Sequence, residues 1–307
     1  MLNISFFSYK GGAGRTSLLY NTLPFLAETL RATAEEPIVV IDLDVDSKGF
    51  TYLIDRYCEI NSIQVLKGEI PHNPRAPLPI DKHPFFSKMI PIGEDVGLGR
   101  NMSNSILFIP APPMVDNNFL GNTSNADGVN VSLTRFRDIC KAYRCKAIVM
   151  DTPAGSQLSG DCALSISHKI VTTMRITTQF SLGTKEFLKK ISTKELDKND
   201  ARFSDKEFII VPNAVPSTAT SGEGQTVYDM DKIMRKIKQD CENGLDRASS
   251  NHLNLSFLEN GNQGIGEVRS FKFEELNLRK EERYRALSED ELNAMRMYRR
   301  LAEELEK

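Results

Sequence analysis

Cysteine is scarce in this 307-residue chain. The five present, Cys58, Cys140, Cys145, Cys162 and Cys241, are odd in number and include no C-x-x-C pair. That excludes a disulfide scaffold and a zinc ribbon. Histidine is also rare: His72, His83, His168 and His252 are dispersed, and none sits with a Ser or Cys in a nucleophile motif. A hydrolase triad is therefore not supported. No apolar run reaches membrane-spanning length. The first seven residues, Met1 to Phe7, lack the basic flank and long apolar core of a signal peptide. The expectation is a cytoplasmic protein of a reducing compartment with no membrane partner. Charge of one sign is lacking too: 39 basic against 41 acidic residues leave a net −2. This argues against a global electrostatic grip on DNA or anionic lipid and leaves only a local basic patch open. Internal repeats and low-complexity tracts are absent.

What the chain does contain is an alternation of short apolar runs and helical stretches. Strands are expected at Leu2–Ser8, Pro37–Leu43, Ser105–Pro110, Lys146–Met150, Lys169–Ile176, Glu207–Val211 and Leu253–Leu258. Pro37–Leu43 is β-branched and almost wholly apolar, the pattern of a strand buried on both faces. Helices are expected at Thr16–Ala32, Leu133–Tyr143, Thr184–Ile191, Asp229–Asp240 and Glu289–Glu306, with Pro24 a candidate kink in the first. Such alternation predicts an α/β fold: a doubly wound, mostly parallel sheet with helices on both faces. By length alone two domains are conceivable, but this architecture accommodates 1–307 as a single domain. Residues 68–102 carry six prolines and break the rhythm, reading as an irregular insertion. Residues 216–225 read as a mobile loop.

The strongest local signal is Ser8-Tyr9-Lys10-Gly11-Gly12-Ala13-Gly14-Arg15-Thr16-Ser17. It follows an expected strand and opens an expected helix, the setting of a phosphate-binding loop. Glycines let successive backbone N–H groups turn toward one anion, and the helix N-terminus adds a favourable partial charge. The Thr16 hydroxyl is suited to Mg2+. A ligandless Gly-rich turn is the competing reading. The strict pattern G-x-x-x-x-G-K-[ST] is not met, because Tyr9 replaces its first Gly and Arg15 its Lys.

Lys10-Gly11-Gly12-Ala13-Gly14-Arg15-Thr16 resembles the deviant Walker A motif, KGGxGK[ST], of the ParA/MinD family of P-loop ATPases. With Phe7-Ser8-Tyr9 before it, the stretch is more similar to the subgroup that writes KGGVGR. The resemblance implies that Gly11, Gly12, Ala13, Gly14, Arg15, Thr16 and Ser17 hold ATP, with Arg15 directed at its phosphates. It implies that Lys10 is the signature lysine that reaches a partner subunit's nucleotide; a solvated loop charge is the alternative. Arg is planar, bulkier and always charged, so it is not a simple substitute for Lys.

Two strand ends carry carboxylates: Ile38-Val39-Val40-Ile41-Asp42-Leu43-Asp44, and Ala147-Ile148-Val149-Met150-Asp151-Thr152-Pro153-Ala154-Gly155. Ligands of such sheets bind beyond the carboxyl ends of strands. By resemblance Asp151 is the Walker B aspartate at Mg2+, Asp44 the switch I residue that orients water, and Thr152–Gly155 switch II. Asp42 is a metal-side candidate; a cap or turn residue is an equal reading of it. Asn213, closing the run Phe208–Val215, is the adenine contact by resemblance or a turn-former before a loop. Ile106–Ala111, Gly264–Arg269 and Tyr298–Ala302 are also similar to family segments. Together these imply a Mg2+-dependent ATPase switch that forms a nucleotide-dependent homodimer and acts on a protein partner whose identity is open.

Two other classes compete. A nucleotide-sensing module with little hydrolysis is motivated by Arg15. An iron-protein-like electron carrier would need paired interface cysteines, and Cys58, Cys140, Cys145 and Cys162 offer no matching pair. DNA is a weakly supported partner. The basic residues Arg279, Lys280, Arg283, Arg285, Arg296, Arg299 and Arg300 are interleaved with acids, the pattern of an ion-paired helix face. Leu292, Met295, Leu301 and Leu305 form the apolar stripe of a core-facing helix.

Overall fold

The apolar runs become strands of one sheet. In a computed structural model, which describes residues 1–70, 79–113, 126–175, 178–196, 206–213, 235, 236, 239, 254–258 and 289–307, they are β1 (Leu2–Phe7), β2 (Ile38–Asp42), β3 (Ile90–Pro91), β4 (Ile106–Ile109), β5 (Ala147–Asp151), β6 (Lys169–Arg175), β7 (Glu207–Asn213) and β8 (Asn254–Phe257). Their spatial order is β3-β4-β2-β5-β1-β6-β7-β8. Every neighbouring pair is parallel except β3 with β4. The expected mostly parallel sheet is therefore present, and its parallel strands place their carboxyl ends on one rim.

Strand residues alternate between two cores, as a period-2 chain buried on both sides must. Ile38, Val40, Ala147 and Val149 face one core, and Val39, Ile41, Ile148 and Met150 the other. The first core is roofed by α1 (Arg15–Thr29), through Leu18, Leu19, Leu23 and Leu26. A C-terminal helix, Glu289–Glu306, joins it there with Met297, Leu301 and Leu305. Two short helices, α2 (Gly49–Ile54) and α3 (Ser62–Leu66), follow β2. The second core is covered by α4 (Ala126–Ala142) and α5 (Leu158–Ile166), whose Leu133, Phe136, Ile139, Cys162 and Ala163 point into it. Helix α6 (Thr178–Leu196) stacks Phe187 on Phe7 of β1 with ring centroids 4.2 Å apart. The C-terminal helix is α7. Each fully buried Leu or Phe contributes about 1.5–3 kcal/mol relative to exposure, so these two layers hold the rim in place.

Several boundaries differ from expectation for local reasons. Helix α1 runs through Pro24 without ending. Helix α4 begins at Ala126, ahead of its first buried residue, Val129, so periodicity alone starts it too late. In the Pro-rich segment, residues 79–105 hold three short 3-10 helices and the edge strand β3, with Phe85, Phe86, Met89, Ile92, Val96 and Leu98 buried. The segment thus extends the sheet and both cores. The expected stripe on α7 is rotated: Leu301 and Leu305 are fully buried with Ala294 and Met297, while Leu292 and Met295 are half-buried. The expected mobile loop 216–225, the Gly264–Arg269 segment and most of the Asp229–Asp240 helix lie outside the described residues. No helix among the described residues is long and apolar enough to cross a membrane.

Candidate functional site

The loop between β1 and α1 is shaped by its glycines. Gly12 and Gly14 adopt φ of +78° and +80°, a left-handed conformation that side chains disfavour. Cβ atoms on Gly11 or Gly12 would meet nothing within 4 Å among the described residues, so against these this side of the loop is open. Gly14 caps α1 without a side chain, and the first turn contains no acid. Its N–H groups are therefore oriented for an external anion.

The loop's other side is braced. Asn213 donates from Nδ2 to the Ala13 carbonyl at 2.8 Å. The Gly155 N–H donates to the Ser8 carbonyl at 2.9 Å, tying the segment after β5 to the loop's start. The Tyr9 ring lies against Gly183 of α6, where any Cβ would collide with it. Its hydroxyl reaches Glu186 Oε2 at 3.4 Å.

Asp44, Asp151, Arg15 and Thr16 converge beneath this loop. Topology explains why: β5 lies between β1 and β2, so the ends of β2 and β5 flank the start of α1. Thr16 donates its hydroxyl to Asp151 Oδ2 at 2.8 Å. Arg15 donates from Nε to Asp151 Oδ1 and from Nη2 to Asp44 Oδ2, both at 2.6 Å. The guanidinium, expected to point at phosphate, is thus 7% exposed and engaged with two buried carboxylates. Burial works against the Arg15 charge, but Asp151 and Asp44 outweigh it and hold the pKa above its ordinary value. Burial also pushes the Asp151 carboxyl up, while Arg15 and Thr16 pull it back.

Asp42 does not fit the metal-side role. It pairs in register with Asp151 but is fully buried, and both of its oxygens accept protein hydrogen bonds. Oδ1 accepts the Asp44 N–H at 3.1 Å; Oδ2 accepts the Thr51 N–H at 2.9 Å and hydroxyl at 2.7 Å. Thr51 Oγ1 in turn accepts the Ala111 N–H at 2.9 Å. Asp42 therefore fixes the turn that carries Asp44 and links it to α2 and the end of β4. Burial, then the neighbouring Asp151, push its pKa up to about 7 against the opposing Thr51 bonds.

Lys10 and Ser17 are half-buried on either side of the glycines, and Lys10 forms no ion pair among the described residues. The structure thus brings Arg15, Thr16, Asp44 and Asp151 into direct contact and places Asn213 against the loop. Thr51, Tyr9 with Gly183, and Lys48, whose Nζ donates to the Pro113 carbonyl at 2.7 Å, are additions that sequence did not reveal. No local pattern marks them, because each acts through a residue distant in sequence.

No protein-family model and no curated protein matches the chain. Solved structures do. A McdA–ATP complex from Cyanothece aligns at 12% identity over 99% of this chain and 96% of that one, with a TM-score of 0.58. Cobyrinic acid a,c-diamide synthase from Mycobacterium smegmatis with ADP and magnesium aligns at 14% over 98% and 93%, TM-score 0.56. The septum site-determining protein MinD with Mg-ADP from Pyrococcus horikoshii aligns at 16% over 99% and 95%, TM-score 0.52. These likenesses establish a shared fold, that of ParA/MinD-type P-loop ATPases. A fold of this kind hosts more than one chemistry, so function rests on the site.

Proposed function

We propose that this chain, built on the fold of ParA/MinD-type P-loop ATPases, is a Mg2+-dependent ATP-binding and ATP-hydrolysing switch that dimerises around nucleotide and regulates a protein partner. The observation that carries this reading is the juxtaposition at one rim of an open-sided glycine loop, a helix N-terminus without a side-chain cap and the Thr16–Asp151 pair. ATP and Mg2+ are supported as ligands by the McdA and MinD complexes and by the chemistry here.

The residues fit both groups. The backbone N–H groups of Gly11 to Thr16 suit phosphate oxygens, and the left-handed Gly12 and Gly14 allow the close approach. Thr16 donates its proton to Asp151 and so turns hydroxyl lone pairs outward, toward a hard cation. Mg2+, when bound, supplies charge neutralisation at the β- and γ-phosphate oxygens. Asp44 is the group to orient the attacking water, held by the backbone bond to Asp42. Lys10, which forms no ion pair among the described residues, would neutralise charge on a partner subunit's nucleotide. Asn213 keeps an amide oxygen for a base while its nitrogen braces the loop.

ATP turnover separates this from a sensor that scarcely hydrolyses, a reading favoured by the Arg15 hold on Asp44. Wild type should hydrolyse ATP slowly with Mg2+, and Asp44→Ala should abolish it; no turnover in wild type that still binds ATP selects the sensor. Lys10→Ala should retain binding but fail to form a nucleotide-induced dimer in light scattering. DNA is a secondary partner class, since Arg296, Arg299 and Arg300 share α7 with Glu303, Glu304 and Glu306.

A further inference from the structure

Resting on that reading of the loop, we infer that Arg15 is a positioning residue shared between two sites: it either closes on Asp44 and Asp151 or grips phosphate, and its transfer releases Asp44. Phosphate occupancy and the freedom of the water-orienting carboxylate are thereby coupled in one side chain.

The geometry makes the two engagements exclusive in part. Nε is already bonded to Asp151 at the end of β5 and Nη2 to Asp44 in the turn after β2, at 2.6 Å each. Arg15 directly follows Gly14, so its backbone belongs to the phosphate loop while its head lies on the carboxylates. The planar fork is what permits this bridging. A Lys ammonium is a point charge without two fixed, divergent donors.

Charge decides what accompanies the transfer. Asp42, Asp44 and Asp151 are all buried, and Arg15 is the cation bonded to two of them. Withdrawing it leaves buried carboxylates without compensation, which is strongly unfavourable. Thr16 and Asp151 would hold a divalent cation that accompanies the nucleotide, and it would supply the missing positive charge there; nucleotide alone would not. The chain should therefore discriminate against metal-free nucleotide more strongly than phosphate charge by itself requires. Weakening the Arg15 hold should relax this.

The test measures ATP affinity by calorimetry with Mg2+ and with excess chelator, for wild type, Asp44→Asn and Arg15→Lys. Asp44→Asn removes one anchor while keeping shape; Arg15→Lys keeps the cation but loses the fork. Both should bind metal-free ATP about tenfold more tightly than wild type, and the ratio between metal-bound and metal-free affinities should shrink by the same factor. A direct readout accompanies this. In protein labelled with 15N-arginine, the Arg15 Nε–H should exchange slowly before nucleotide is added and shift on addition of ATP with Mg2+. Unchanged or weaker metal-free affinity in both variants, or an Arg15 Nε–H signal indifferent to nucleotide, overturns the inference while wild-type binding upholds the phosphate site. Wild type that binds no nucleotide under either condition overturns the functional reading itself.

Discussion

Replacing Gly14 by Ala perturbs the loop at a single atom whose surroundings are known. The residue sits at φ +80°, and the new Cβ would collide with Asn213 Nδ2. Holding a side chain in the left-handed region costs roughly 1–2 kcal/mol. Asn213 must also move, giving up its 2.8 Å bond to the Ala13 carbonyl, a loss of about 1 kcal/mol. The sum is about 2–3 kcal/mol, which in a chain of this size lowers the unfolding midpoint by roughly 5 °C. Denaturant unfolding of Gly14→Ala, Asn213→Ala and the double variant measures the two parts separately. With Asn213 truncated the collision disappears, so the added cost of Gly14→Ala should fall to the backbone strain alone, with a coupling of about 1 kcal/mol. Equal stability of Gly14→Ala and wild type would refute the strain argument, and zero coupling would refute the bracing by Asn213.

Further outcomes follow from other parts of the structure. Asp42 has a raised pKa of about 7, so its protonation favours the folded state. That stability is fully present below the ordinary carboxylate value and is lost as pH rises from about 4 through about 7; denaturation from pH 5 to 8 should show wild type losing ground to Asp42→Asn as pH rises. Leu301→Ala empties a fully buried position between α1 and α7 and should cost about 2–5 kcal/mol in the same assay. Gly183→Ala forces the Tyr9 ring off α6; nucleotide affinity should fall about tenfold while secondary structure measured by circular dichroism is unchanged.

Much of this architecture was legible because its strands are buried on both faces. Runs such as Ile38–Ile41 and Ala147–Met150 need apolar residues at every position, and the sequence shows them unbroken up to a terminal Asp in each strand. The glycine loop was legible because left-handed backbone requires specific residues at Gly12 and Gly14. The edge strand β3 was not, since two residues, one of them proline, carry no periodicity. Arg15 shows a different limit. Its place in the motif was plain, but its partners come from the turn after β2 and from the end of β5, and only the strand order places both within reach. Asp42 was open between two readings for the same reason: a carboxylate at a strand end reads alike whether it faces a cation or, as here, holds Thr51 and the Asp44 turn. Of the three neighbouring acids Arg15 pairs with Asp44 and Asp151, while Asp42 is taken up by Thr51 and the Asp44 N–H, a division that is invisible in sequence.

Calorimetric titration of the chain with ATP and Mg2+ tests the central claim most directly. The account predicts saturable heat with one nucleotide per chain, strongly reduced in Arg15→Ala and in Thr16→Ala. No heat of association at millimolar ATP with Mg2+, from protein shown to be folded, would contradict it.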